Sequence, residues 1–276
     1  MYPIQRMRRY RQSSSIRNLF QDVQLKASDL IAPLFVTEPG VNSTITTMPY
    51  TRRFSIDEIC AEVQRLTALG IVCFALFPII NESLKTHTCQ EAWNPEGLIP
   101  RTISRIKNAV PNCVLIADIA LDPYHIEGHD GLIDENGAID NDATITALCK
   151  QSLCYARAGA DILGPSDMMD GRIGVIREAL EKEKLISPLI MSYCAKFCST
   201  FYGPFRDAVD SSRFLGKKDK ASYQMDFQSL FQIEREIAQD CQEGADILLI
   251  KPGSHYLDVI LRAKTSQPLY PIWSYH

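Results

Sequence analysis

Seven short apolar runs alternate with helical patterns along the chain, and this alternation constrains the fold more than any other feature. Runs rich in Ile, Leu and Val are typical of strands buried on both faces of a parallel sheet. They occupy residues 30–36, 71–77, 114–120, 161–164, 188–193, 247–250 and 268–273. Helices that connect such strands make right-handed crossovers. We therefore predict an α/β fold, and a (β/α)8 TIM barrel in particular.

Helix signals fill the segments between these runs. Ser55 and Glu58 form a capping box ahead of the first amphipathic pattern, and Gly70 follows its end. A doubly wound open sheet is the alternative architecture, but no Gly-rich phosphate loop follows the first strand. A closed barrel needs an eighth strand, and the sequence reaches His276 before one appears. We therefore expect the last strand and helix of the barrel to be missing.

The 276 residues suffice for one large domain with an ample core. Residues 1–28 are polar and basic and predict an arm ahead of a barrel domain at 29–276; a solvated tail and an arm docked on a neighbouring subunit both remain open. The net charge of −4 argues against nucleic acid as the main partner. No apolar run approaches ~20 residues, so we expect no membrane span. The nine cysteines show no paired framework, which indicates a reducing cytosol.

Two lysines stand at the ends of predicted strands. Lys251 follows the run 247–250 directly, and Lys196 lies just past the run 188–193. The strand ends of one parallel barrel open onto the same face, so we expect the two amines to share a cleft. Burial and mutual repulsion lower the pKa of a lysine and favour the neutral amine, which is the form that condenses with a ketone. The alternative is that Lys251 extends to solvent or pairs with a carboxylate.

Longer motifs surround these strand ends. They are DIALDPY at 118–124, GHDG at 128–131, PSDMMDGR at 165–172, MSYCAK at 191–196, FYGPFRDA at 201–208, and GAD with KPG within 244–253. Together they closely resemble the porphobilinogen synthase (5-aminolevulinate dehydratase) family, from the Arg-rich start to His276. The resemblance implies a cytoplasmic lyase of tetrapyrrole synthesis that condenses two 5-aminolevulinate molecules into porphobilinogen. The chemistry would use lysine Schiff bases, without pyridoxal phosphate.

The resemblance also implies roles for individual side chains. Lys251 matches the lysine that forms the Schiff base with the first substrate, Lys196 matches the second active-site lysine, and Asp118 matches a carboxylate suited to proton transfer. The side chains expected to bind substrate or line the cleft are Ser166, Tyr202, Phe205, Arg206, Lys220 and Gln224. We expect the segment 197–224 to close over the site as a lid. A solvated basic loop is the alternative for its charges, and N-capping of the next helix is the alternative for Ser166.

The metal preference implied by the resemblance differs from that of the zinc-dependent members. Those carry cysteines where this chain has Ala120, Asp122 and Asp130, so we expect no Cys-bound catalytic zinc. Carboxylate oxygens suit Mg²⁺, which makes Asp122 and Asp130 candidate ligands. Glu236 matches a ligand of an allosteric Mg²⁺ site between subunits, with a solvated helix glutamate as the alternative. The resemblance and the basic arm together predict a homo-octamer.

Two other functions remain open at this point. In the family, a serine and a tyrosine that bind the carboxylate of the first substrate come after the position of His276, and this sequence contains neither. The chain could therefore be an inactive remnant that acts only in assembly. It could also be another class I Schiff-base aldolase or lyase on the same barrel.

Overall fold

The computed structural model describes residues 1–209 and 220–276. Its strands are β1 (Ile31–Thr37), β2 (Arg53–Phe54), β3 (Cys73–Ile79), β4 (Val114–Ile119), β5 (Leu132–Ile133), β6 (Ile139–Asp140), β7 (Ile162–Pro165), β8 (Leu189–Lys196), β9 (Ile247–Lys251) and β10 (Ile272–Ser274). Its α-helices are α1 (Ser14–Leu19), α2 (Ile56–Ala68), α3 (Leu98–Ala109), α4 (Asn141–Ala158), α5 (Arg172–Lys182), α6 (Gly203–Ala208), α7 (Leu230–Gln242) and α8 (Leu257–Ser266). Short 3-10 helices occupy Met7–Arg11, Ala27–Asp29, Glu82–Leu84, Gln90–Trp93 and Thr200–Tyr202.

Eight strands form one parallel sheet in the order β10-β9-β8-β7-β4-β3-β1-β2. All seven strands predicted from the sequence belong to it, which confirms the α/β prediction. Strand β2 is not among the seven predicted runs, because two residues are too few to carry a recognisable pattern. Strand β10 begins later than expected, since Pro268 and Pro271 hold the preceding residues in a turn. The hairpin β5-β6 forms a separate antiparallel pair.

The strands and one face of each flanking helix make the core. Every residue of β3 and of β9 is buried, as expected for strands covered on both sides. Helix α2 begins with the predicted capping box: the Ser55 hydroxyl accepts from the Glu58 backbone N–H, and the Glu58 carboxylate accepts from the Ser55 backbone N–H. No helix in the described part of the chain combines the length and apolarity needed to cross a bilayer.

The arm predicted at residues 1–28 contains a 3-10 helix at Met7–Arg11 and the short helix α1, and no residue of either is buried. Its clearest internal contact is an edge-to-face pair between Tyr10 and Phe20, whose ring centroids are 4.8 Å apart. Docking of this arm on another subunit stays a prediction.

Candidate active site

The two strand-end lysines meet at the carboxyl edge of the sheet. Strands β8 and β9 are neighbours, and Lys196 is the register partner of Lys251. A register shift between Ser192 and Ala195 precedes this pairing. Only 7 % of Lys196 and 3 % of Lys251 is exposed. Both line one cavity, so the structure brings together the two amines that the sequence placed at separate strand ends.

Aromatic rings surround the Lys251 ammonium position. The distances from Nζ to the ring centroids are 3.9 Å for Phe205, 4.1 Å for Tyr275, 5.4 Å for Tyr202, 5.7 Å for Tyr193 and 6.0 Å for Phe77. Burial among these rings lowers the pKa of Lys251 to about 7, and repulsion by Lys196 acts in the same direction. Three nearby carboxylates oppose this shift without cancelling it. A large fraction of the amine is therefore uncharged at neutral pH and able to attack a carbonyl.

Lys196 has a different environment, made of oxygen atoms. Its Nζ donates to the backbone carbonyl of Ser166 and lies 3.3 Å from Asp130 Oδ1. Burial alone would raise the pKa of Asp130, but the ammonium groups of Lys196 and Lys220 outweigh it and lower that pKa to about 2. The two amines thus differ: rings enclose Lys251, whereas an ionised carboxylate holds Lys196.

Asp118 supplies a titratable carboxyl group at the end of β4. Burial raises its pKa to about 7, and the charge of Asp122 adds to the rise. Lys196, Lys251 and a hydrogen bond from Ser166 act in the opposite direction. Its Oδ1 atom has no hydrogen-bond partner within the described residues. Asp118 and Lys251 therefore both exchange protons near neutral pH, as a general acid–base pair requires.

A second pocket opens from the same lysine pair. Its lining comprises Asp122, Lys196, Tyr202, Phe205, Arg206, Lys220, Gln224 and Lys251. Lys220 Nζ lies 3.2 Å from Asp122 and 2.6 Å from Asp130. Burial would lower the pKa of Lys220, but these two carboxylates raise it overall. The first pocket contains the carboxyl group of Asp118, the second contains the basic side chains of Arg206 and Lys220, and both include the two amines. This arrangement suits two small keto acids bound side by side.

Ser166 belongs to the site rather than to a helix cap. Helix α5 begins at Arg172 with Gly171 as its N-cap, so the capping alternative for Ser166 is wrong. Instead, its carbonyl accepts from Lys196 and its hydroxyl hydrogen-bonds Asp118.

Glu236 lies on α7, away from the lysine pair. Its side chain is 22 % exposed, and its Oε1 is 3.1 Å from Arg172 Nη1. Burial raises the pKa of Glu236 to about 7, with Arg172 opposing the rise. Across residues 1–209 and 220–276, no group of three or more His, Cys, Asp or Glu side chains is placed to hold a metal ion. The candidate ligands Asp122 and Asp130 are both bound by Lys220.

The predicted lid, 197–224, includes residues 210–219, which lie outside the described residues. Its flanks both reach the site, since Tyr202, Phe205 and Arg206 line the second pocket from one side and Lys220 and Gln224 from the other. Its base is closed by backbone hydrogen bonds: Met225 N–H donates to Lys196 O at 2.9 Å, and Cys198 N–H donates to Met225 O at 3.0 Å. The basic residues are thereby attached to the end of β8.

Sequence reasoning missed several residues that line the site or surround Lys251, among them Phe77, Lys85, Tyr193 and Tyr275. Phe77 and Tyr193 lie at the ends of predicted strands, and this position could have identified them as residues that line the site. Lys85 and Tyr275 carry no such signal, because only the tertiary structure brings their segments to the cavity.

Sequence comparison finds one protein family across nearly the whole chain. A family model described as delta-aminolevulinic acid dehydratase matches residues 4–276. The chloroplastic delta-aminolevulinic acid dehydratase of Glycine max is 44 % identical over 271 residues, which cover 98 % of this chain and 65 % of the soybean protein. The delta-aminolevulinic acid dehydratase of Rhodobacter capsulatus is 44 % identical over 264 residues, which cover 95 % of this chain and 79 % of that protein. The chain thus spans slightly less than two thirds of the soybean relative.

Structural comparison agrees. The crystal structure of delta-aminolevulinic acid dehydratase (porphobilinogen synthase) from Toxoplasma gondii ME49, in complex with the reaction product porphobilinogen, superposes with a TM-score of 0.96. The two sequences are 45 % identical, and the match covers 100 % of this chain and 78 % of that chain. This similarity supports the TIM-barrel prediction.

Proposed function

Because this chain belongs to the delta-aminolevulinic acid dehydratase family, we propose that it condenses two molecules of 5-aminolevulinate into porphobilinogen. The observation that carries the proposal is the pairing of Lys251 and Lys196 on neighbouring strands where two pockets meet. An isolated buried lysine would suit many Schiff-base enzymes. Two lysines that line both a pocket containing Asp118 and a pocket containing Arg206 and Lys220 suit the joining of two keto acids.

Lys251 begins the chemistry in this proposal. Its neutral amine attacks the ketone of the first substrate, and loss of water leaves an iminium, which withdraws electrons from the neighbouring carbon. Asp118 lies in the same cavity, with a pKa near neutrality, and can take and return the protons that these steps exchange. The ring enclosure limits the access of water to the iminium.

The basic pocket would hold the second substrate. Arg206, Lys220 and Gln224 offer N–H donors to its carboxylate, and a guanidinium can bind a carboxylate through two hydrogen bonds. Lys196 lines both pockets together with Lys251, and in this proposal it meets the second keto group. The two carbonyl carbons are thereby held close enough to react without free diffusion of either substrate.

The donor atoms of the site do not suit a Cys-bound zinc ion. The loop after β4 offers Ala120, Asp122 and Asp130 rather than thiolates, and Lys220 binds both carboxylates. The steps above are written with protein groups. A Mg²⁺ ion at Glu236 and a homo-octameric assembly both remain predictions, supported by the family resemblance and the basic arm.

Borohydride trapping tests the proposed function. Reduction in the presence of 5-aminolevulinate is expected to attach substrate to Lys251, located by peptide mass mapping, and the untreated protein is expected to form porphobilinogen. The K251M variant should lose both properties. The K150M variant is the matched control, because it makes the same substitution away from the site. Lys150 lies on helix α4, with its Nζ 5.2 Å from the ring centroid of Trp93. Trapping with other keto substrates in place of 5-aminolevulinate tests the alternative that the chain is another class I aldolase or lyase. A folded protein that forms no porphobilinogen even with Mg²⁺ would support the alternative of an inactive remnant that acts only in assembly.

A further inference from the structure

Tyr223 contacts Asp130 but lines neither of the two pockets at the lysines, and it has no part in the steps above. Its hydroxyl accepts a hydrogen bond from the backbone N–H of Asp130 at 3.3 Å and lies 3.3 Å from His129 Nδ1. It also hydrogen-bonds the Asp130 carboxylate. The His129 and Tyr223 rings pack edge to face, with centroids 6.2 Å apart. One phenol oxygen thus contacts both the backbone and the side chain of Asp130.

Asp130 is the junction between two functional cations. Its Oδ1 is 3.3 Å from Lys196 Nζ, and its Oδ2 is 2.6 Å from Lys220 Nζ. The orientation of this single, fully buried carboxylate therefore sets the distance between the second amine and a cation of the basic pocket. The next residue, Gly131, has no room for a side chain, because a Cβ there would lie 2.8 Å from Ile139 Cγ2. The backbone on one side of Asp130 is thus held by packing, and the Tyr223 hydroxyl holds the other.

Tyr223 is also tied to the cations through the chain itself. It lies three residues after Lys220, and Met225, two residues further on, donates its N–H to the Lys196 carbonyl. Asp130 therefore contacts Lys196, Lys220 and Tyr223, and Tyr223 and Lys220 lie on the same short segment of chain. Tyr223 does not line the cavity around Lys251; it lines another pocket, nearer the surface, together with Glu236.

We propose that Tyr223 is a positioning residue for the second substrate: its hydroxyl orients Asp130 so that Lys196 and Lys220 hold the second 5-aminolevulinate against the first. The inference rests on the proposed function. It predicts a division of labour, because the contacts of Asp130 and Tyr223 described above are made to the second amine and to the basic pocket, not to Lys251. Loss of the hydroxyl should therefore weaken the second binding event and leave the first unchanged.

The Y223F variant tests this, since it keeps the ring and removes one oxygen atom. We expect KM for 5-aminolevulinate to rise at least fivefold, kcat to change less than KM, and borohydride trapping at Lys251 to proceed at the wild-type rate. Y270F is the matched control, because the Tyr270 hydroxyl donates to Cys241 O at 3.4 Å, away from the site. An unchanged KM in Y223F would overturn the inference. A fall in trapping at Lys251 in step with activity would also overturn it, since the hydroxyl would then be merely structural.

Thermal unfolding of Y223F is measured first. If that variant does not fold, H129F takes its place, because it keeps an aromatic ring and removes the nitrogen that contacts the Tyr223 hydroxyl; a raised KM supports the inference and a wild-type KM refutes it. If borohydride traps substrate on the wild-type protein but no porphobilinogen forms, the readout becomes the fraction of protein that carries adducts at both Lys251 and Lys196. This fraction should be smaller in Y223F. A wild type that is neither trapped nor active refutes the proposed function and the inference together. A wild-type KM in an active Y223F refutes the inference alone.

Discussion

Replacing Lys196 with methionine should move the pH at which Lys251 becomes reactive. In the wild type, burial and the Lys196 charge together lower the pKa of Lys251 to about 7. The rate of substrate trapping should therefore rise with pH through about 7 and level off above it, because only the neutral amine attacks the ketone. The K196M variant keeps the aromatic enclosure and removes the repulsion.

The size of the shift follows from Coulomb's law. Lys196 and Lys251 are register partners on adjacent strands, which lie ~5 Å apart, so ~8 Å is a conservative separation for their ammonium groups. Two like charges at that distance repel by about 2 kcal/mol at an effective dielectric constant of ~20. At 1.36 kcal/mol for each pH unit, the trapping midpoint should rise by roughly 1.5 pH units. Asp130 also loses one of its cations in K196M, which favours the charged form of Lys251 and acts in the same direction.

The assay is the initial rate of borohydride trapping of 5-aminolevulinate, measured from roughly pH 5.5 to roughly pH 9.5 so that the trapping midpoints of the wild type and of K196M both fall within the range. Peptide mapping assigns the adduct to Lys251. K150M serves as the control and should keep the wild-type midpoint. A K196M midpoint equal to or below that of the wild type would refute the reasoning. It would mean that the enclosure by rings alone accounts for the low pKa of Lys251.

Three further predictions concern other parts of the site and its support. D118N should lower kcat by about 10²- to 10⁴-fold in steady-state assays while Lys251 is still trapped, because the proton donor and acceptor is lost but the amine is not. R206M should raise KM by about tenfold or more, the effect of losing a charge-assisted hydrogen bond of ~1.5–3 kcal/mol, whereas R206K should recover part of the binding. R172M should lower the free energy of unfolding by ~3–5 kcal/mol in urea titrations, because it leaves the buried Asp240 carboxylate, 3.2 Å from Arg172 Nη1, without its partner. Wild-type values for any of these three variants would contradict the corresponding assignment.

The ion pairs at the site explain why the two lysines differ although both end a buried strand. Lys251 is enclosed by five uncharged rings, so burial is the largest cause of its lowered pKa, and repulsion by Lys196 adds to it. Lys196 and Lys220 share the Asp130 carboxylate, and the pKa of Asp130 falls despite burial because two cations face it. Neighbouring strand ends thus provide one amine enclosed by aromatic rings and one amine held by a carboxylate, within a single cavity.

The sequence alone determined the order of the main strands and helices and the placement of Lys196, Lys251 and Asp118 at strand ends. These features are local, because the apolar period of a strand or helix and the residue that follows it are written in consecutive positions. Parallel strands then bring their carboxyl ends to one edge, so the meeting of the two lysines could be anticipated.

Only the tertiary structure decided the chemical state of each group. Tyr275 reaches Lys251 from β10's end, Lys85 reaches the cavity from a loop, and Tyr223 reaches Asp130 across about ninety positions of chain. The short strand β2 was invisible for the related reason that pairing with β1, rather than its own pattern, makes it a strand. Burial, ring enclosure and ion pairing depend on which distant segments come together, and a periodic pattern records only that a residue is buried, not what it is buried against.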